Sequence, residues 1–164
     1  MILPTLASSP EFAPESRVWT YTASRRLSDA EAQAVQAALE AFVRQWTAHN
    51  QALRATGEVF QNQFILLMVD ETHTSAGGCS IDKSVHFLED LGQRLHVDFF
   101  DRMRFAWLTD DQLQFGNRQE LGHAAQSAQV TDNTLMVNTL VQNKKELQEK
   151  WLIPYSQSWH RRLV

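Results

Sequence analysis

Apolar residues recur along this chain with two different periods. Val18-Trp19-Thr20-Tyr21-Thr22-Ala23 alternates and is rich in β-branched and aromatic side chains, which predicts a strand. Ser28 and Glu31 form a capping-box pair ahead of Ala32, Val35, Leu39, Phe42, Val43 and Trp46, which share one face at helical spacing. That helix is expected to run to about Ala48. Glu58-Val59-Phe60 and Phe64–Val69 predict two strands joined by a tight turn at Gln61-Asn62-Gln63. The second lacks polar alternation, so it is expected to be covered on both faces and central in its sheet. A second helix is expected from about Ile81 to Leu95. Ile81, Ser84, Val85, Leu88, Leu91 and Leu95 form its inner arc, with Asp82, His86, Glu89 and Gln93 opposite.

Met103–Leu108 alternates again, and Thr109-Asp110-Asp111 turns it into Gln112–Phe115 as a hairpin. The order so far is βαββαβ, a ferredoxin-like arrangement with an extra hairpin strand. A three-layer α/β sheet is the alternative, because strand registers are not readable from the pattern. The last third predicts a helix near Arg118–Ala128, a strand near Leu135–Val141 and a short helix from Asn143 with a box partner at Glu146. The fold class expected is therefore α+β: a mainly antiparallel sheet, a ferredoxin-like core and an added C-terminal helix/strand segment. Residues 1–16 hold three of the four prolines and no period. They predict an N-terminal arm outside the core, with 17–164 forming one domain.

Composition adds bounds. The chain of 164 residues is 43% hydrophobic, with five Trp and nine Phe, enough for an ordinary core. A formal charge of −4 argues against a nucleic-acid footprint, which needs a basic face. No apolar run is long enough to span a bilayer, and the N-terminus does not read as a secretory signal. One cysteine excludes an intrachain disulfide. Together these predict a soluble, bacterial-type cytoplasmic protein with no nucleic-acid or membrane partner. Nothing in the pattern sets a cofactor or an oligomeric state.

The densest candidate chemistry is the stretch from Asp70 to His86. Asp70 and Glu71 end the apolar strand, and Gly77-Gly78-Cys79-Ser80-Ile81-Asp82-Lys83-Ser84 enters the second helix. Gly77, Gly78, Ser80 and Ser84 at a helix start can present N–H groups and hydroxyls to a small anionic or polar ligand, and Lys83 adds charge. Ser80 as a plain helix cap uses the same donors. Cys79 beside a helix start is a candidate nucleophile, with His73 or His86 as its base. Against that, a lone cysteine is usually inert packing. Asp70, Glu71, His73, Cys79, Asp82 and His86 are all metal-ligand types, but no two His or Cys have tight ligand spacing, so no metal is assigned. Asp98 and Asp101-Arg102, between the second helix and the next strand, are a polar cluster that can line the same pocket, but they read more readily as a turn with a local ion pair. Trp151 and Trp159 read as locks on a terminal segment. His160-Arg161-Arg162 reads as a solvated end.

Three separated stretches resemble a family of uncharacterised bacterial proteins. They are Phe64–Glu71, Gly78-Cys79-Ser80-Ile81-Asp82-Lys83-Ser84-Val85-His86-Phe87, and Phe100-Asp101-Arg102. The tail from Thr134 to Val141, with Glu146, Trp151, Pro154 and Ser158-Trp159-His160, fits the same family. The resemblance covers roughly residues 17–164 and implies a shared fold and a shared site around Cys79. Some members carry the name ABC-transporter ATPase. This chain has no G-x-x-x-x-G-K-[ST] phosphate loop to match that name, since Gly77-Gly78 leads to Cys79. The resemblance implies no activity. The leading expectation is small-molecule or anion binding at the helix entry. The alternatives are a thiol-dependent enzyme and an interaction protein without a small ligand.

Overall fold

Every residue of the run Phe64–Asp70 is buried in the computed structural model, which describes residues 2–164. An all-apolar strand must be covered on both faces, and the rest of the fold does this. Along the chain, β1 (Arg17–Thr22) leads to α1 (Asp29–Gln45), a small hairpin of β2 (Thr47–Ala48) and β3 (Gln51–Ala52), and then β4 (Arg54–Phe60) and β5 (Phe64–Asp70). α2 (Gly78–Leu95) follows, then β6 (Phe105–Thr109), β7 (Gln112–Gly116), α3 (Arg118–Gln126), β8 (Leu135–Val137), α4 (Lys144–Lys150) and β9 (Leu152–Pro154). Short 3-10 segments cover Thr5–Ser8, Tyr155–Gln157 and Trp159–Leu163.

The first sheet is antiparallel with the order β1-β5-β4, so β5 is its central strand. Ile65, Leu67 and Val69 face a core closed by α1 and α2, where Val35, Leu39, Leu88 and Leu91 are buried. Phe64, Leu66 and Met68 face a second core with Val137, Leu147 and Trp151. The protein is thus α+β with antiparallel sheets. The ferredoxin-like order extends through β1, β4 and β5 and then stops. The strand expected to complete it, β6, heads a second antiparallel sheet of order β7-β6-β8-β9. One physical reason is that the β1 edge is already occupied at two points. Val18 N–H donates to Gln142 O at 2.9 Å, and Asp101 N–H donates to Thr22 O at 3.2 Å.

Residues 2–16 are not an arm outside the core. Leu6, Ala7 and Phe12 are buried in the second core. Glu58 accepts from Thr5 N–H and Leu6 N–H at 3.0 and 2.9 Å, and the buried Lys144 ammonium donates to the carbonyls of Ser9 and Phe12. Apolar periodicity could not reveal a segment held largely through its backbone.

Local signals were sound elsewhere. The capping box of Ser28 and Glu31 forms, as does another at Asn117 and Glu120. At α4 it forms by half: Asn143 accepts from Glu146 N–H, while Glu146 accepts from Gln142 N–H. The two tight turns use left-handed backbone at Gln61 and Asn62 and at Asp110 and Asp111. α1 ends at Gln45, earlier than expected, because residues 46–53 fold back as the β2/β3 hairpin. β8 ends at Val137, and the chain turns at Thr139 and Leu140. α2 closes on left-handed His96, with Val97 N–H donating to Gly92 O; a Cβ on Gly92 would lie 2.5 Å from Val97 O.

Candidate functional site: a cavity at the open edge of the first sheet

The stretch from Asp70 to Ser84 proves mostly committed to holding itself together. α2 begins at Gly78, three residues before the expected start, so Cys79 sits in its first turn, exposed. No side chain caps this helix. The Ser80 hydroxyl donates to Gly77 O at 2.8 Å and the Ser84 hydroxyl to Ile81 O at 2.6 Å. Both serines are buried. Trp46 Nε1–H donates to Ser80 O at 2.8 Å and ties the end of α1 to this turn. Neither Gly77 nor Gly78 has left-handed backbone, and a Cβ on either would meet open space, so the turn itself does not demand glycine.

Asp70 is buried and accepts from Ala13 N–H at 3.1 Å, Thr72 N–H at 3.0 Å and the Thr72 hydroxyl. The Thr72 hydroxyl chiefly, with the backbone donors and Arg54 behind it, holds its carboxyl below the ordinary range. Glu71 accepts from Ala76 N–H at 2.9 Å and lies 3.9 Å from the Arg17 guanidinium. His73, Asp82, Lys83 and His86 are exposed, and no hydrogen bond joins Cys79 to either histidine among the described residues. No three His, Cys, Asp or Glu side chains among the described residues are grouped to hold a metal. The two large cavities are lined by none of these side chains.

The first cavity, about 960 Å3, is an open cleft between α3 and the second sheet, lined by Trp107, Gln114, Gln119, His123, Gln126 and Gln129. The second, about 680 Å3, is built at the edge of β1 from residues of five separate stretches of the chain. Trp19, Thr20 and Tyr21 come from β1, Arg102 and Arg104 from the chain leading to β6, and Trp159 from the C-terminal 3-10 segment. Its size suits a small organic ligand.

Polar groups in this second cavity are unsatisfied. Four buried side-chain nitrogen or oxygen atoms lack a hydrogen-bond partner among the described residues, and two of them, Thr20 Oγ1 and Arg104 Nε, belong to residues lining it. Burying a donor without a partner costs about 1–3 kcal/mol, and more for a charged group. The nearest carboxylate does not relieve Arg104, since Asp101 Oδ2 stands 3.8 Å from Nε while Oδ1 accepts from Met103 N–H.

The aromatic walls are firmly placed. Trp159 donates from Nε1 to Asn138 Oδ1 at 3.2 Å and stacks on His160 at 3.7 Å. His160 is itself buried, against the expectation of a solvated end, with its ring edge-on to Phe105. Burial lowers its pKa to about 4, so the ring is neutral at pH 7. Ser158 Oγ accepts from His160 N–H and is also hydrogen-bonded to ring Nδ1. Tyr21 packs edge-on to Phe100 at 5.4 Å. Burial pushes the Tyr21 phenol up, offset in part by the Ser84 hydroxyl. The Arg17 guanidinium lies 4.7 Å over the Trp19 ring.

No family model matches this chain, and neither a curated protein nor a solved structure does. The chemistry of the site therefore rests on its own geometry. No helix among the described residues is long and apolar enough to cross a membrane.

Sequence reasoning reached Asp101-Arg102 and Trp159 but gave them structural roles. It missed Thr20 and Arg104, which read as alternating positions in or beside strands. Only the fold brings residues 19–21, 102–104 and 159 together. The one signal in the sequence was Arg104 inside an otherwise apolar strand pattern, Met103–Leu108.

Proposed function

We infer that this protein binds a small organic anion in the cavity at the β1 edge. Arg104 pairs with the anionic group, and Trp19, Tyr21 and Trp159 flank the apolar body. The observation that supports this most is that two residues lining the cavity, Arg104 and Thr20, each hold a buried polar atom, Nε and Oγ1, without a hydrogen-bond partner among the described residues. A carboxylate or phosphate oxygen is an acceptor for either kind of donor. The helix entry at Gly77–Ser84, with Asp70, Glu71 and Lys83 around it, is a weaker place for the same ligand, since its hydroxyls and carboxylates already have partners.

Titration with phenylacetate, followed by amide and indole NMR shifts, tests the reading. Shifts should concentrate at Trp19, Thr20 and Trp159. Arg104→Gln should weaken binding by ten-fold or more. Equal affinity in that variant, or shifts confined to Cys79 and Ser80, would overturn it.

The thiol-dependent reading keeps one supporting observation, the exposure of Cys79 in the first turn of α2. It requires His73 or His86 to reach the thiol. Its test is turnover of activated esters that is lost in Cys79→Ser and also in one of the two histidine variants.

A further inference from the structure

We propose that the ligand of this cavity is peptide-like, of two- or three-residue size, with an amide that pairs with the free edge of β1 and a carboxylate that pairs with Arg104. This rests on the anion-binding reading above and names the ligand class.

The edge geometry carries it. Alternate residues of a strand turn both their N–H and their C=O to the same side. In β1 the outward residues are fixed by two bonds: Val18 N–H to Gln142 O, and Thr22 O from Asp101 N–H. Thr20 lies midway between them, so its N–H and C=O point outward too. Opposite Leu66, it sits at a non-hydrogen-bonded position of the β1–β5 ladder. Neither its N–H nor its C=O has a partner among the described residues. Thr20 also lines the cavity, which places this outward edge beside it.

One residue of an extended guest chain matches such a pair, donating its N–H to Thr20 O and accepting from Thr20 N–H. The two occupied points set the guest's length. Val18 to Thr22 spans four steps, about 13 Å of strand. Chain on either side, Gln142 at one end and Asp101 at the other, closes the gap against a longer guest strand. Charge selects the end group. Arg102 and Arg104 face the cavity with only Asp101 as counter-charge, and Asp101 already accepts from Met103 N–H. A free carboxylate completes the balance, and aromatic walls favour a bulky apolar side chain.

Calorimetric titration of the wild-type protein with four probes tests this. N-acetylphenylalanine should bind at least ten-fold more tightly than 3-phenylpropionate, which keeps ring and carboxylate but lacks the amide. N-acetyl-N-methylphenylalanine, without the amide N–H, and the methyl ester of N-acetylphenylalanine, without the charge, should each lose about ten-fold. Binding should also slow hydrogen exchange at the Thr20 amide. A pentapeptide extended at both ends of the phenylalanine should bind more weakly than the acetylated residue. Equal binding of both acids, with no effect of N-methylation, would overturn the peptide-like ligand while leaving the anion site standing. No binding of either acid would remove both.

Discussion

The entry to α2 and the cavity at the β1 edge present the same kinds of polar group in opposite condition. At the entry, the buried Asp70 has three donors and the two buried serine hydroxyls each have an acceptor. At the cavity, a guanidinium nitrogen, a hydroxyl and a backbone pair at Thr20 have none. Satisfied buried groups stabilise a fold, while unsatisfied ones cost free energy unless something else completes them. A density of reactive residue types along a sequence therefore marks local scaffolding here. The better mark of a binding site is a polar group that the fold brings inside and leaves unpaired.

The largest expected effect is on the satisfied side. Asp70→Ala removes the shared acceptor of Ala13 N–H, Thr72 N–H and the Thr72 hydroxyl. It should cost about 3 kcal/mol or more in urea unfolding. It should also loosen residues 2–16, seen as faster exchange of the Ala13 amide. A cost under about 0.5 kcal/mol would show that these bonds do not hold the turn, and the contrast between the two regions would fail.

The next effect concerns the wall of the cavity. Burial pushes the His160 ring down to about 4 in the folded protein, against an ordinary 6.5. The unfolded chain thus binds more protons between these values, so stability is fully present above pH 6.5 and falls as pH drops toward 4. The difference corresponds to about 2–3 kcal/mol at pH 4. Glu31, held at about 2 first by the Arg25 guanidinium, acts in a lower window, below its ordinary 4.5. His160→Phe should flatten the stability profile between pH 6.5 and 4.5 and leave the lower window unchanged. An unaltered profile in that variant would show that the ring is not held neutral.

Arg104→Met sharpens the comparison from the other side. Removing a buried donor that lacks a partner should leave stability unchanged or raise it by up to about 1 kcal/mol. Binding of the anion should fall in the same protein. A cost of more than about 2 kcal/mol would show that Arg104 is as structural as Asp70.

How much of this was legible follows from what each feature depends on. The capping box at Ser28, the two-faced burial of Phe64–Val69 and the turn at Asp110-Asp111 depend on neighbours in sequence, and the pattern showed them. The departure of β6 to a second sheet depends on which backbone groups of β1 are already taken, by Gln142 and Asp101. The burial of Leu6 and Phe12 depends on Glu58 and Lys144, far along the chain. The cavity likewise depends on segments far apart in the chain meeting at β1, so its residues looked ordinary in the sequence. Asp70, Glu71 and the serines looked functional because nothing in a sequence says that a polar group already has a partner.

The smallest effect is expected at Cys79, the residue that drew most attention in the sequence. Its side chain is exposed in the first turn of α2, so little packing is lost on replacement. Cys79→Ser should change unfolding free energy by less than about 0.5 kcal/mol. It should leave the affinity for N-acetylphenylalanine within two-fold of the parent, because Cys79 does not line the cavity at the β1 edge. Native protein should react with iodoacetamide without unfolding, at a rate that denaturant raises by no more than a few-fold. The ligand of the cavity should not protect the thiol. If ligand does protect it, or if Cys79→Ser weakens binding ten-fold, then the helix entry and not the β1 edge holds the ligand, and the satisfied hydrogen bonds of Ser80 and Ser84 must rearrange when it binds.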